Sequence, residues 1–102
     1  YFDPIEGKDI LGTEIKASTI IDISSTMQTK ERMFRCHESQ QSWLQAHHEI
    51  DDYINSSLKR LSAIRGKEIG VSYAEGFRQH LGHAFPQDNI LEQELGNLVH
   101  RV

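Results

Sequence analysis

The chain has 102 residues, of which 37% are hydrophobic and 25% are charged, and its formal net charge at pH 7 is −4. That size and balance suit one small domain with a modest core. The acidic balance argues against nucleic acid as a partner, because phosphate binding needs a dense Lys/Arg surface. No apolar run approaches the roughly 20 residues of a membrane-spanning helix, so we also expect no membrane span.

The sequence contains a single cysteine, Cys36, which bears on the cellular compartment. A lone cysteine cannot form an intrachain disulfide, so the fold does not depend on an oxidising compartment. A basic-then-apolar signal segment is also missing, and we expect a cytoplasmic protein. Because the sequence starts at Tyr1 rather than at Met, we expect its true N-terminus to have been removed or to lie elsewhere.

Residues 1–24 are predicted to form strands and turns. Glycine and proline interrupt the opening. The segment STIIDIS, Ser18 to Ser24, then places three isoleucines within four positions. β-Branched residues in a short apolar run favour a buried strand. Ser24 or Ser25 follows as the expected N-cap of a helix.

Residues 25–66 are predicted to be helical, because large side chains recur at every third or fourth position. The first stripe comprises Met27, Phe34, His37, Gln41 and Leu44. The second stripe comprises Trp43, His47, Ile50, Ile54, Leu58, Leu61 and Ile64. One interrupted helix or two consecutive helices would bury Phe34 and Trp43, and Gly66 is the expected terminator.

The last third of the sequence divides into two predicted segments. Residues 67–86 combine aromatic and β-branched residues with glycines, which favours a loop or an irregular strand. In residues 87–102, Asp88 can cap a final helix that carries apolar side chains. The predicted fold is therefore α/β and mostly helical, with one or two short strands. Because so few strands do not complete a sheet, we expect the chain to be part of a larger unit.

The spacing of the histidines does not favour a metal site. His47 and His48 are adjacent and point about 100° apart on a helix, so they cannot chelate one ion. His48 and Asp52 have the i,i+4 spacing of a helical pair, and His80 and His83 form an H-x-x-H pair. Two ligands do not make a zinc site, however, and we predict no metal ligands in this chain.

Cys36 and His37 place a nucleophile beside a base in the sequence. Neighbouring side chains on a helix face apart, and a third group to orient the imidazole is missing, so a small buried thiol is the favoured interpretation. The sequence also lacks a glycine-rich phosphate loop, a G-x-S-x-G elbow and an H-E-x-x-H motif. The residues alone therefore provide no complete catalytic constellation.

Two stretches that lie far apart in the sequence nevertheless carry recognisable motifs, and the motifs occur in a characteristic order and at a characteristic separation. The first is IIDISSTMQTKERMFRCHESQ, with the elements Ile21, Asp22, Ile23, Ser24, Lys30, His37, Ser39 and Gln40. The second is RGKEIGVSYAEGFR, with the elements Arg65, Gly66, Gly70, Tyr73, Ala74, Glu75, Gly76 and Phe77. Together they resemble the V-D-I-S, early Lys, H-x-S-Q and R-G-x-x-x-G-x-x-Y-[AG]-E-[AG]-F elements of the PIG-L/LmbE-type deacetylases. The resemblance covers residues 1 to about 80 and leaves out the tail from Leu81.

This resemblance implies a Rossmann-like α/β fold and the hydrolysis of N-acetyl groups from N-acetylglucosamine-type conjugates. The family holds one zinc ion with an H-P-D-D-E motif and a later H-x-x-H, and an Asp of the first motif is the general base. H-P-D-D-E is absent here, and the His80–His83 pair follows the Y-A-E-G-F stretch instead of preceding it. Residues 1–102 are therefore expected to be the C-terminal part of a single deacetylase domain. Alone they would be inactive, because the zinc ligands would lie elsewhere in the full-length enzyme.

The resemblance also implies roles for three residues of the second stretch. In some family members a Tyr from a mobile C-terminal loop stabilises the oxyanion of the tetrahedral intermediate. Tyr73, flanked by Gly70 and Gly76 as candidate hinges, is the corresponding catalytic candidate. The alternative is that its ring only anchors the loop to the core. Glu75 and Arg78 are candidates for binding the substrate or for fixing the loop.

The H-x-S-Q segment is expected to be structural. His37, Ser39 and Gln40 would tie the end of a helix to the following turn, because buried polar groups must be hydrogen-bonded. A place at the rim of the active site is the alternative.

A second functional hypothesis is a non-catalytic helical interaction or oligomerisation module. Trp43, Ile50, Ile54 and Leu61 would then form a surface for a partner or for a second copy. We also expect self-association on the first hypothesis, because an unpaired apolar strand at Ile20–Ile23 invites pairing.

Overall fold

The computed structural model describes residues 1–4, 6–37, 43, 46 and 53–102. Within these ranges three strands are present: β1 (Thr19–Asp22), β2 (Ala74–Phe77) and β3 (Val99–Arg101). The α-helices are α1 (Met27–Arg35), α2 (Arg60–Ile69) and α3 (Ile90–Leu95). A π-helical segment, Ile54–Lys59, leads into α2, and a 3-10 turn, Gly96–Leu98, follows α3. No helix in these ranges is long and apolar enough to cross a membrane.

The described strands form one antiparallel sheet in the order β2-β1-β3. Ile20 stands opposite Gly76 on one side and opposite His100 on the other. The predicted α/β class is confirmed, but the expectation of one or two strands was too low. The isoleucine strand, β1, is paired on both sides. The expectation of self-association rested on an unpaired edge at this strand, and β1 has no such edge.

The core lies between β1 and the helices that cover it. Its buried apolar side chains are Ile20, Ile21, Met27, Ile54 and Ala74. Ile54 is only 1% exposed, so it cannot belong to the partner surface predicted for it, and Ile50 lies outside the described residues. Trp43 is 53% exposed, which contradicts its predicted burial.

Helix α1 begins one or two residues later than the sequence suggested. Its N-cap is Thr26, whose side chain makes no capping hydrogen bond. The Ser24 hydroxyl is engaged elsewhere, because it donates to the Tyr73 carbonyl oxygen at 3.3 Å. At the other end Cys36 is exposed, so the buried thiol that we predicted is wrong. Phe34 is only half-buried and stacks on the Tyr53 ring at a centroid distance of 5.6 Å.

Helix α2 passes through Gly66 and ends at Ile69, so the predicted boundary at residue 66 is too early. Gly70 caps the helix in a left-handed conformation with φ 77°, which glycine adopts without steric cost. Gly66 instead allows α2 to pack closely against the backbone of the segment that follows it. A Cβ atom there would lie 2.6 Å from the Val71 carbonyl oxygen.

The segment 87–102 is not one helix, as we predicted, but a short helix followed by a strand. Asn89 rather than Asp88 is the N-cap of α3, and its side chain accepts a hydrogen bond from the Glu92 backbone N–H. Gly96, with φ 53°, ends the regular helix. Residues Val99–Arg101 form β3 because their backbone groups pair with β1. The local sequence pattern, which is helical, cannot predict this pairing.

Candidate functional site

A cavity of about 490 Å³ lies beside α2 and β2, and we call it the α2–β2 cavity. Its apolar lining comes from Phe2, Phe34, Leu58, Leu61 and Phe77. Its polar lining includes Asp3, Lys30, Ser62, Arg65 and Glu75. The helical residues converge on one face because Leu61 and Ser62 lie three and four positions after Leu58, and Arg65 lies three positions after Ser62 and four after Leu61.

A cluster of three polar side chains forms one part of the cavity wall. Lys30 Nζ lies 2.6 Å from Glu75 Oε1 and donates to Ser62 Oγ at 3.2 Å. Lys30 follows the buried Met27 by three residues, so α1 presents it on its inner face. The side chains of Lys30 and Glu75 keep 28% and 36% exposure. This cluster is therefore accessible to a molecule that enters the cavity.

A second polar group, the pair Arg65–Asp3, is almost fully buried, with side-chain exposures of 7% and 8%. Arg65 donates from Nε to Asp3 Oδ2 at 2.6 Å and from Nη2 to Asp3 Oδ1 at 2.9 Å. The guanidinium also donates to Glu68 at 2.6 Å and to the Ile15 carbonyl oxygen at 2.8 Å. The hydrogen bonds that Arg65 donates to Asp3, above all, raise the pKa of Arg65. Arg65 therefore fastens the N-terminal segment to α2 as a permanent cation.

Gly76 allows this pair to approach the sheet. A Cβ atom at Gly76 would lie 2.5 Å from Asp3 Oδ2 and 2.8 Å from Arg65 Nε. Gly76 is thus a packing glycine within β2, not the loop hinge suggested for it.

The three predicted site residues have different positions. Glu75 lines the α2–β2 cavity, whereas Tyr73 and Arg78 are not among its lining residues. The Tyr73 carbonyl oxygen accepts from the Ile23 backbone N–H at 3.0 Å, and its backbone N–H donates to Ser24 Oγ at 3.2 Å. Arg78 exchanges backbone hydrogen bonds with Tyr1 at 2.7 and 2.8 Å. The backbones of Tyr73 and Arg78 are therefore fixed by neighbouring segments.

The described residues contain no group of three or more His, Cys, Asp or Glu side chains that could hold a metal ion. His80 packs its ring against Phe85 at a centroid distance of 3.9 Å, and its Nδ1 accepts from the Gly82 backbone N–H. His37 is exposed, and its ring meets that of Phe34 edge-on at 6.3 Å. His47, His48, Ser39 and Gln40 lie outside the described residues.

Two surface carboxylates make the stability of the fold dependent on pH. Hydrogen bonds from Lys59, and then from Arg35, lower the pKa of Glu31 below its ordinary value of 4.5. Hydrogen bonding to Ser24, whose backbone N–H donates to Asp22 Oδ1 at 2.9 Å, lowers the pKa of Asp22 below its ordinary value of 3.8. A lowered folded-state pKa stabilises the fold above the ordinary value, and this contribution is lost as the pH falls through the folded-state value.

We therefore expect the free energy of unfolding to decrease as the pH is lowered from 7 through the carboxylate range. Urea unfolding of the wild type and of Glu31→Gln, followed at stepwise pH, checks this. The two proteins should differ most at neutral pH and converge in acid, because protonation removes the same negative charge as the substitution. Glu94→Gln, at an exposed glutamate of α3, is the control. A difference that grows in acid would contradict the assignment.

Sequence reasoning found part of this site. It singled out Lys30 and Glu75 through the two resembling stretches but gave no reason for their contact. It missed Asp3 and Ser62, which have no local pattern to distinguish them. The described lining residues of the cavity include neither His nor Cys. Comparisons with protein-family models, curated proteins and solved structures find no match to this chain.

Proposed function

We propose that this chain forms the C-terminal part of a zinc-dependent deacetylase of the PIG-L/LmbE type. The full-length enzyme would remove N-acetyl groups from N-acetylglucosamine-type conjugates. One observation carries the proposal: the two stretches that resemble the family lie far apart in sequence but contact each other residue by residue. Strand β1 belongs to the first stretch and β2 to the second, and Ile21 stands opposite Glu75, with Asp22 opposite Ala74.

Side chains of the two stretches also meet outside the strand ladder. Lys30 of the first pairs with Glu75 of the second at 2.6 Å. Ser24 of the first bonds to the backbone of Tyr73 in the second. These contacts support the treatment of the two stretches as parts of one structural unit.

The proposal assigns the zinc ligands to another part of the polypeptide, because the described residues do not fit a zinc site. Zinc would supply Lewis-acid chemistry there. In this chain Tyr73 is the proposed catalytic residue, and its hydroxyl would donate a hydrogen bond to the oxyanion of the tetrahedral intermediate. Glu75 and Arg78 are the proposed substrate contacts.

The test uses the full encoded polypeptide that contains residues 1–102. It should carry an H-P-D-D-E motif upstream and release acetate from an N-acetylglucosaminyl conjugate. Tyr73→Phe keeps the ring and removes only the donor, so kcat should fall by on the order of 10²-fold, about 2.7 kcal/mol, with KM little changed. Acetate release is measured for the wild type and for both variants, the control being Tyr1→Phe at an exposed ring.

Three outcomes separate the alternatives. Unchanged turnover in Tyr73→Phe would remove the oxyanion role and leave Tyr73 as a packing residue. A loss of turnover in Tyr1→Phe of the same size would show that the effect is not specific to Tyr73. A full-length polypeptide without acetate release would contradict the deacetylase proposal itself.

We infer a second candidate function, self-association or partner binding without catalysis, from the exposed apolar side chains near the N-terminus. Tyr1, Phe2, Ile10 and Leu11 are between 79% and 101% exposed. Large exposed apolar groups close together mark interaction surfaces in many proteins. This surface replaces the one predicted around Ile54.

Sedimentation velocity at increasing protein concentration tests this second function. We expect a shift to dimers or larger species for the wild type and a weaker shift for Ile10→Ser, because Ile10 is fully exposed and contributes little to the core. Lys8→Ser, in the same turn, is the control for a change of an exposed side chain. A clean monomer at the highest concentration would contradict self-association.

A further inference from the structure

The α2–β2 cavity has the size and the lining of a small-molecule site. Its volume of about 490 Å³ falls within the range of about 300–1,000 Å³ that is typical of ligand pockets. Its charged side chains are confined to the Lys30–Glu75 and Arg65–Asp3 pairs. Its other polar groups are the hydroxyls of Tyr53, Ser57 and Ser62, and the rest of the lining is apolar. An apolar recess with a few convergent polar groups is the arrangement that ligands favour.

The Lys30–Glu75–Ser62 cluster defines which head group would fit. An ammonium has three N–H donors, and those of Lys30 reach Glu75 and Ser62, which leaves one donor to spare. The Glu75 carboxylate has further lone pairs. A terminal amide or hydroxyl, which accepts and donates at neighbouring atoms, can bind both side chains without separating them.

The charge of the cluster favours a neutral ligand. Lys30 and Glu75 compensate each other at 2.6 Å. A charged head group would have to displace one of them, and it would leave a partly desolvated charge without a partner. A ligand head group cannot readily replace either member of the Arg65–Asp3 pair. Asp3 accepts hydrogen bonds from two guanidinium nitrogens, and both side chains are less than 10% exposed.

From these contacts we propose that the α2–β2 cavity binds a neutral amphiphile, an apolar chain or ring that ends in an amide or a hydroxyl. The apolar body packs against Phe34, Leu58 and Leu61, and the head group bridges Lys30 and Glu75. This site shares Glu75 with the deacetylase proposal but goes beyond it, because it rests on the cavity and on the Lys30–Glu75–Ser62 contacts themselves. A binding experiment on this chain and acetate release by the full-length enzyme can each fail without the other.

The first experiment uses the wild-type chain and four probes: octanamide, octanoate, octylammonium and acetamide. Backbone amide resonances of residues 74–77 report binding in NMR titrations. We expect saturable shifts with octanamide and affinities about tenfold lower, roughly 1.4 kcal/mol, for the two charged probes. Acetamide should not bind, because it lacks the apolar body. An absence of saturable shifts with octanamide, or equal affinities for all three octyl probes, would overturn the proposal.

The second experiment changes the charge of the head-group site. Glu75→Gln leaves Lys30 as an uncompensated cation, so the preference should move from octanamide to octanoate by about tenfold. Lys30→Met should instead move it toward octylammonium. Glu92→Gln, in an ion pair with Arg101 that is remote from the cavity lining, is the matched control and should keep the wild-type preference. A preference that stays the same in all variants would overturn the assignment of the head group.

Discussion

Replacement of Arg65 by Met should lower the free energy of unfolding by about 3–5 kcal/mol, the usual cost of leaving one member of a buried ion pair alone. The Asp3 carboxylate would remain in a site where its side chain is only 8% exposed. It would lose both of its hydrogen bonds from the guanidinium. Urea unfolding at pH 7, followed by far-UV circular dichroism, measures the change.

Two further variants identify the cause of this loss. Glu68→Gln removes the more exposed partner of the same guanidinium and should cost no more than about 1 kcal/mol. The double variant Asp3→Asn/Arg65→Met should recover part of the loss, because no unpaired buried charge remains. Asp3→Asn measured alone completes the cycle, and a double variant whose loss equals the sum of the Asp3→Asn and Arg65→Met losses would contradict a direct interaction between Asp3 and Arg65.

The second large effect is expected at the centre of the sheet. Ile20 is fully buried at 0% exposure, so Ile20→Ala removes apolar contacts and leaves a cavity, at a cost of about 2–5 kcal/mol. Ile10→Ala makes the same chemical change at a side chain that is 101% exposed and should stay within about 0.5 kcal/mol of the wild type. Thermal and urea unfolding of both variants check the difference.

Equal losses for the two isoleucine variants would contradict the position of β1 as the central buried strand. A larger loss for Ile10→Ala would point to an interface at the N-terminal turn, because only a contact with another molecule can bury that side chain.

The elements that local patterns predicted well are those whose own residues specify them. β1 follows from consecutive β-branched residues, and α1 and α2 follow from three- and four-residue spacing. β3 was missed because three residues after a helical pattern acquire their strand only by pairing with β1. Gly66 and Gly70 are both plausible helix terminators in sequence, and only the backbone conformation at Gly70 and the packing at Gly66 distinguish them.

The candidate site was less predictable than the fold, for the same reason. Asp3 and Arg65 are 62 positions apart, and nothing around Asp3 distinguishes it from an ordinary turn residue. Lys30 and Glu75 belong to two quoted motifs, so a relation between the motifs was visible although the ion pair was not. Cys36 was misplaced because burial of a thiol depends on what covers the end of α1 in three dimensions.

The position of β1 between β2 and β3 has a consequence for biosynthesis. Both neighbours of this strand, β2 and β3, are translated after it. Proteins whose contacts join distant positions in the sequence fold slowly, because the chain between those positions must lose conformational entropy before the contact forms. A nascent chain therefore presents the isoleucine edge to solvent until β3 has been translated, and during that interval binding to a chaperone competes with aggregation.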